Sequence, residues 1–524
     1  MSDDAGAGIE GARADEAPGS GVLDPVDARL LVGSLLVVSA CTLVYELLIS
    51  ALSSYFLGSS VLHFSVTIGL FLFFMGVGSW ASRFVEGDLL DRYLLVEILI
   101  GLFGGLAGVV LYAAYSVTEN YYLVALALIA AISILAGLEI PLVTRLLEGT
   151  RGLKHSLSDV LAFDYLGALV ASLAFPLVLV PWLGLQRTAF AVGLVNLGVA
   201  VVLLTRFAPR LVGPTRLKLL SLGVGATLLA GFLWSSSLTH LFEQYLYQDE
   251  IVHAEQTPYQ RIVLTQRNRD LRLFLNGSIQ FSSIDEYRYH EPLVHLAAGA
   301  VARREEVLVL GGGDGLAVRE LLRWPDVGRI TLVDLDPAMT RLARSHAMLR
   351  DLNEDALEDP RVEIVHADAF EYLEGDSRLY DLVIADLPDP STLELGKLYS
   401  ASFYRLVASR LAAEGVFVTQ ASSPYFARKA FWCVHETLAE AFEEVRGVQS
   451  YVPSFGLWGY QLASNAPLRP ERSPWPPGLR HLTAEQLPGF WHFAPDTGPL
   501  EVDVNRLENQ ILVQYYEEAW DELQ

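Results

Sequence analysis

The chain has 524 residues, too many for one compact core, and is 52% hydrophobic with a formal net charge of −24. A balance this acidic excludes nucleic acid as a partner, because neutralising phosphates needs clustered Lys and Arg. The two cysteines, Cys41 and Cys433, lie in different halves, which excludes a disulfide framework or a Cys-based zinc site.

Residues 1–27 are rich in Gly, Ala and Asp and lack the basic start of a secretory signal, so they read as a disordered acidic tail. Residues 28–237 read as a multi-span α-helical membrane domain. A spanning helix needs about 20 apolar residues, and seven runs qualify: 30–52, 62–82, 93–115, 121–144, 160–182, 187–206 and 217–236. Gly recurs within them, as at Gly101, Gly104, Gly105 and Gly108, and small residues let lipid-embedded helices approach closely.

Positive charge falls at Arg83 and Arg92, at Arg145, Arg151 and Lys154, and at Arg206, Arg210, Arg216 and Lys218. The positive-inside rule therefore places the second, fourth and sixth loops in the cytoplasm. Seven spans would then leave the C-terminal half outside, whereas a cytoplasmic metabolite as substrate requires it inside. Glu46, Glu139 and Asp164 sit in apolar runs. Glu139 beside Pro141 reads as near a helix end and Asp164 as near the start of its run. They serve there as caps or bonds to neighbouring helices, or else as a cation site, for instance for a polyamine.

From about residue 238 the pattern becomes that of a soluble protein. Residues 238–300 read as a small β subdomain, with strands Arg261–Gln266 and Leu271–Leu275 joined by a turn at Arg267–Asp270. Residues 301–465 alternate strand and helix. Strands at Glu306–Leu310, Ile330–Val333, Val362–Val365, Leu382–Ala385 and Gly415–Thr419, with helices from about Ala317 and around 401–412, predict a doubly wound, Rossmann-like parallel sheet. Ligands bind such sheets at the C-terminal strand ends, and four ends carry a carboxylate: Asp314, Asp334, Asp368 and Asp386. Residues 466–524 form a Pro-rich extension ending in a helix with Tyr515 and Tyr516 that packs on the domain or on a membrane surface.

The loop Gly311-Gly312-Gly313-Asp314-Gly315 follows the first of these strands. Aligned on Gly311 and Gly313, the dinucleotide fingerprint fails at Leu316. Asp314 stands where backbone amides would otherwise face a pyrophosphate, and a carboxylate there suits a cation instead. Asp334, twenty residues on, is placed to bond ribose hydroxyls. Together they favour an adenosyl ligand with a positive centre over NAD; S-adenosylmethionine and its decarboxylated form both qualify.

Tyr259-Gln260, the segment Leu273–Gln280, Asp285-Glu286, Tyr289-His290-Glu291, the loop Gly311–Gly315 and Asp386-Leu387-Pro388-Asp389 occur in that order over roughly residues 250–465. As a set they resemble the spermidine synthase family of aminopropyltransferases. The apolar first half, with Tyr45-Glu46-Leu47 and Gly137–Pro141, looks like that family's membrane-fused branch. The resemblance implies roles. Asp386 matches the catalytic aspartate. Gln260, Asp334, Asp368, Ala369, Gly311 and Gly313 match the side that binds the donor, decarboxylated S-adenosylmethionine, or its product methylthioadenosine. His290, Asp314, Tyr289, Gln280 and Asp389 match the polyamine side. It implies putrescine as acceptor, no metal or cofactor, a homodimer or homotetramer, and a multi-pass protein of the cell membrane with its catalytic domain in the cytoplasm.

The chemistry suits these residue types. The donor sulfonium makes its aminopropyl carbon electrophilic, and the acceptor amine must lose a proton before it attacks. A carboxylate beside the amine orients it and takes that proton. Several positions depart from the family pattern: Asn276 for Asp, Ala369 for Gly, Leu387-Pro388 for a small polar pair, Ser391–Gly396 for Gly-Pro, and Phe455 where a Tyr often bonds the acceptor. They leave the donor side largely intact and put the acceptor in question. Two rival readings stand beside this one: an S-adenosylmethionine-dependent methyltransferase, and a polyamine transporter or sensor whose soluble domain binds without turnover.

Overall fold

A computed structural model of the chain describes residues 24–57, 60–118, 120–151, 153–247 and 249–521. The expected disordered tail lies outside them except for its end, where Pro25–Asp27 already belong to a helix. Proline suits a first helical turn because its missing N–H has no partner there anyway. The buried Asp27 is ion-paired with Arg206 at 2.7 Å and Arg210 at 3.0 Å. The chain divides into two compact units at Phe242/Glu243, with Ser53–Leu62 grouped with the second.

The first unit is helical: α1 Pro25–Leu57, α2 Ser60–Ala81, α3 Leu89–Val117, α4 Tyr121–Arg151, α5 Leu153–Ala174, α6 Val180–Phe207 and α7 Pro214–Tyr247. Among the described residues, six helices are long and apolar enough to cross a membrane, not seven. The fifth and sixth predicted runs lie in one 54-residue stretch, Leu157–Arg210. No polar loop separates them. The chain continues through a π-helical turn at Phe175–Leu179 and leaves helical geometry only at Gly184 (φ 73°, ψ 171°). The last helix also runs to Tyr247, ten residues past the expected boundary at 237.

Glycine does the close packing here, as its frequency suggested. A Cβ on Gly193 of α6 would stand 2.8 Å from the Gly101 carbonyl of α3, and one on Gly137 of α4 would stand 2.1 Å from the Met75 carbonyl of α2. Side chains that water would disfavour lie on the outside, among them Leu72, Phe73, Trp182 and Leu222. Two expectations are corrected. Glu139 is not near a helix end, because α4 continues through Pro141 to Arg151, and Asp164 lies well inside α5. Glu97 of α3, which the sequence reading passed over, is wholly buried.

The second unit opens with a four-stranded antiparallel meander of β1 Glu250–Gln256, β2 Arg261–Arg267, β3 Asp270–Leu275 and β4 Ser278–Ser282. The predicted hairpin is its middle pair, with a tighter turn: Arg267 pairs with Asp270, and Asn268 takes the left-handed conformation (φ 57°). A helix, α8 Tyr287–Ala300, leads into the main sheet of β5 Arg304–Gly311, β6 Val327–Asp334, β7 Val362–His366, β8 Tyr380–Asp386, β9 Leu411–Gln420, β10 Glu444–Val452 and β11 Gly456–Ser464. All five predicted strands are present.

The spatial order is β10-β11-β9-β8-β5-β6-β7. The sheet is mixed rather than wholly parallel: β9, β8, β5, β6 and β7 run parallel, and the hairpin β10–β11 joins antiparallel to β9. The reason is local. Val452 is followed by a short turn through Ser454 to Gly456 (φ 83°), with no room for the helix that a parallel crossover needs. Strand β5 has β6 on one side and β8 on the other, so the order reverses between β5 and β8, where doubly wound sheets open a crevice at their C-terminal ends. The apolar strand cores Val307–Leu310, Leu382–Ala385 and Val416–Val418 are buried.

Candidate active site

Local geometry fixes the loop after β5. Gly311, Gly312 and Gly315 have φ of 77°, 65° and 85°, a region open to glycine at little cost. Gly311 pairs with Asp386 across the β5–β8 ladder, and a Cβ at Gly311 would stand 2.2 Å from the Asp386 carbonyl oxygen. A Cβ at Gly313 would stand 2.3 Å from Asp334 Oδ2. The triple glycine therefore lets two strand-end carboxylates close on the loop from either side. Behind it Asp314 Oδ1 accepts from the Leu316 amide at 2.9 Å, as the helix α9 Leu316–Leu322 begins.

Asp386 is the best-held side chain of the group. Tyr289 Oη donates to its Oδ1 at 2.7 Å, and His290 Nε2 lies 3.9 Å from its Oδ2. His290 is anchored from behind: Nδ1 lies 2.8 Å from Glu286 Oε2, and Arg319 Nη2 donates to the same oxygen at 2.9 Å. Burial alone would push His290 down. The Glu286 hydrogen bond and charge, with Asp386 and Asp314, carry it up to about 9. A protonated imidazole therefore backs the carboxylate at neutral pH.

The surrounding acids are raised too, which for a carboxyl group disfavours the charged form. Burial raises Asp314 to about 6, with His290 opposing and Asp386 adding to it. Burial likewise raises Asp334 to about 6, Asp336 and Asp314 adding to it against backbone hydrogen bonds. Asp389 is raised to about 6 by burial, although Tyr516 Oη donates to it at 3.0 Å and Gln420 Nε2 at 3.3 Å. Carboxylates desolvated in this way gain from a cationic guest more than surface acids do. Among the described residues no group of three or more His, Cys, Asp or Glu is arranged to hold a metal.

The expected residues do not all converge. Asp314, Asp334, Asp386, His290, Tyr289, Gly311 and Gly313 meet around the β5–β8 crevice. Gln260 stands beside it, its Nε2 donating to Asp336 Oδ2 at 3.1 Å. Asp368 is occupied: Oδ1 caps a helix through the Phe370 amide at 2.8 Å and Oδ2 pairs with Lys397 Nζ at 2.7 Å, with Ala369 buried as the first residue of that helix. Against the cost of burial, Lys397 and the helix amides hold Asp368 below the usual carboxylate range. Gln280 turns back on β4, donating to the Ser278 carbonyl, and makes no hydrogen bond to the cluster.

Sequence reasoning assigned no role to Glu286, Arg319, Gln420, Tyr399 or Tyr516. Gln420 ends β9 and donates to the Leu387 carbonyl at 2.9 Å and to Tyr399 Oη at 2.6 Å. Glu286 was legible, four residues before His290 on one helix face. Tyr516, 127 residues from Asp389, left no local signal.

Residues 286–471 match the family model described as spermine/spermidine synthase domain. The chain is 49% identical to Polyamine aminopropyltransferase 2 of Ralstonia nicotianae, over 94% of this chain and 98% of the relative. The chain belongs to the polyamine aminopropyltransferase family. Its aligned length takes in the helical unit as well as the α/β one. At 43% identity, 94% of the chain also matches 98% of the Polyamine aminopropyltransferase of Leptospira interrogans. Among solved structures, spermidine synthase from Thermotoga maritima shares 24% identity over 47% of this chain and 85% of that one, with a TM-score of 0.43. Membership makes this aminopropyltransferase an enzyme, which sets aside the methyltransferase and the non-catalytic sensor.

Proposed function

We propose that this aminopropyltransferase is embedded in the cell membrane, faces the cytoplasm, and moves the aminopropyl group of decarboxylated S-adenosylmethionine to putrescine, giving spermidine and methylthioadenosine. The observation that carries the reading is Asp386, held between Tyr289 and a cationic His290 opposite the glycine loop. In this reading Gly311, Gly313 and Asp334 receive the adenosyl part of the donor, with Gln260 at the margin and Asp368 and Ala369 shaping the adenine end through their helix. Asp314 and Asp389 hold the ammonium ends of the acceptor. Tyr289, and Gln280 from its strand, border the same side.

Asp386 takes a proton from the attacking nitrogen. That nitrogen forms a bond to the aminopropyl carbon as the carbon–sulfur bond breaks. The bonding pair stays on sulfur, and the sulfonium becomes a neutral thioether. The proton then leaves to solvent. This chemistry needs no metal and no further cofactor. Embedding in a membrane is supported by the six apolar helices and by their exposed Leu, Phe and Trp side chains.

One experiment tests the enzyme reading. Purified protein is given labelled decarboxylated S-adenosylmethionine with putrescine, spermidine or cadaverine, beside Asp386→Asn. Spermidine and methylthioadenosine from putrescine, lost in the variant, are expected. Turnover with another amine alone would overturn the acceptor, and full activity in the variant would overturn the role of Asp386. Release of the chain from membranes by alkaline carbonate would overturn the embedding.

A further inference from the structure

The helical unit contains a polar cluster that aminopropyl transfer does not use. Glu97 of α3 and Glu139 of α4 are buried at 0% and 4% exposure, and Tyr45 of α1, Tyr93 of α3 and Asn196 of α6 at 0%. These residues are neighbours. Asn196 Nδ2 donates to the Glu97 backbone carbonyl at 2.8 Å. Tyr93 sits one helical turn before Glu97, and its hydroxyl and the Asn196 side chain both interact with the Glu97 carboxylate, though neither meets full hydrogen-bond geometry. The Tyr45 ring packs on Gly104, two turns after Glu97 on the same face of α3. Glu139 stands within electrostatic reach of Glu97, and the half-buried Asp164 within reach of Glu139.

These groups do not satisfy one another. Both carboxylate oxygens of Glu97, Oε1 of Glu139, Oη of Tyr45 and of Tyr93, and Oδ1 of Asn196 are buried without a hydrogen-bond partner. Buried polar groups are nearly always paired, and a buried carboxylate without a basic partner is among the costliest. No Lys, Arg or His among the described residues forms an ion pair with Glu97 or Glu139. The cluster offers acceptors in excess, so the partner it fits is a cation that donates hydrogen bonds. A metal ion fits poorly, because no three acidic, His or Cys ligands converge. An alkylammonium fits well. Each –NH3+ brings three donors, its methylenes tolerate the apolar walls, and tyrosine rings attract cations across their faces.

We propose that Glu97 and Glu139, with Tyr45, Tyr93 and Asn196, form a second amine site inside the helical unit that takes an alkyl diammonium of the kind the soluble unit uses as acceptor. The choice of a diammonium rests on the acceptor reading above; the site itself rests on the cluster.

The test uses the full chain in lipid nanodiscs, carrying Asp386→Asn so that nothing turns over. Bound radiolabelled putrescine is counted per chain with Glu97 and Glu139 intact and in added Glu97→Gln or Glu139→Gln. One equivalent is expected to disappear in each. An unchanged count overturns the proposal, as does loss of bound radiolabelled sodium in place of putrescine. Glutamine removes a charge that is costly to bury, so both variants are expected to fold, and retained methylthioadenosine binding checks the soluble unit. A second arm needs no variant at Glu97 or Glu139. Dicyclohexylcarbodiimide labels membrane-buried carboxylates, and putrescine is expected to slow labelling of Glu97 or Glu139 several-fold; an unaltered rate overturns the proposal. The difference in count is independent of turnover, so an enzyme that prefers another acceptor would still lose one putrescine here.

Discussion

Tyr289 donates its hydroxyl proton to Asp386 at 2.7 Å, from the helix that also carries His290. Burial, with Asp386 close by, keeps that phenol well above its ordinary range, so it stays a donor throughout the working pH. Tyr289→Phe removes one hydrogen bond to a charged acceptor, worth about 1.5–3 kcal/mol. We expect kcat/KM to fall by about 10- to 100-fold with methylthioadenosine affinity unchanged. An equal loss in donor binding would show that Tyr289 shapes the pocket rather than Asp386.

His290 sets a pH dependence of stability. Its folded value of about 9 lies above the 6.5 of an unperturbed imidazole. Its stabilisation is therefore complete below pH 6.5 and is lost as pH rises through 9, on the order of 3 kcal/mol across that window. Thermal melts of the wild type should fall over this range. Melts of His290→Gln should start lower and stay flatter, and a parallel slope in both would remove His290 as the cause.

Asp389 gives a slope of the same sign, as a cost that grows with pH rather than a stabilisation that is lost. Its folded value of about 6 lies above the ordinary 3.8, so its ionised form costs stability above pH 6, and the cost disappears as pH falls toward 4. Asp389→Asn should raise the melting midpoint at pH 7.5 while raising the KM for the amine several-fold. The two changes point in opposite directions, and a variant that is both less stable and unaltered in KM would contradict the acceptor role.

Asp334 and Asp368 both lie at the C-terminal ends of strands, yet they should respond differently. Asn is as good a helix cap as Asp, so Asp368→Asn keeps the bond to the Phe370 amide and loses only the half-exposed pair with Lys397. Asp334 faces Gly313, and Asp334→Asn alters the loop floor. Calorimetry with methylthioadenosine should show less than a threefold loss for the first and more than tenfold for the second.

Gly311 is a stringent position. Alanine there would hold a left-handed backbone, at about 1–2 kcal/mol, and press its Cβ on the Asp386 carbonyl. Gly311→Ala should unfold more readily and lose activity together, whereas Gly375→Ala, with open space around it, should do neither.

Much of the α/β fold was legible because its signals are local. Strands β5–β9 announce themselves as short apolar runs, the first four ended by carboxylates, and the β2–β3 hairpin by its turn. Four strands were missed: β1 and β4, which carry partly exposed, mixed faces without clean alternation, and the hairpin β10–β11, which also lacks a strict two-residue alternation. The helical unit was legible as apolar length, but its count was not, because the break at Gly184 is conformational and no polar loop marks it. The site divides the same way. Asp386 and the glycine loop stand in motifs, while Tyr516 and Gln420 reach Asp389 through tertiary packing that no spacing encodes. Glu97 was hidden in an apolar run, and only its unmet oxygens distinguish it.

The cluster of Asp314, Asp334 and Asp386 bears on the order in which products of the proposed reaction depart. Before transfer, the donor and acceptor of the proposed reaction are both cations in an acid-lined crevice. Transfer turns the adenosyl partner into an uncharged thioether and lengthens the amine, which gains a basic nitrogen. In that reading the cluster would loosen its grip on one product at the moment it tightens on the other, so the reaction's own change of charge would drive discharge of the nucleoside and leave the polyamine as the slower product to depart.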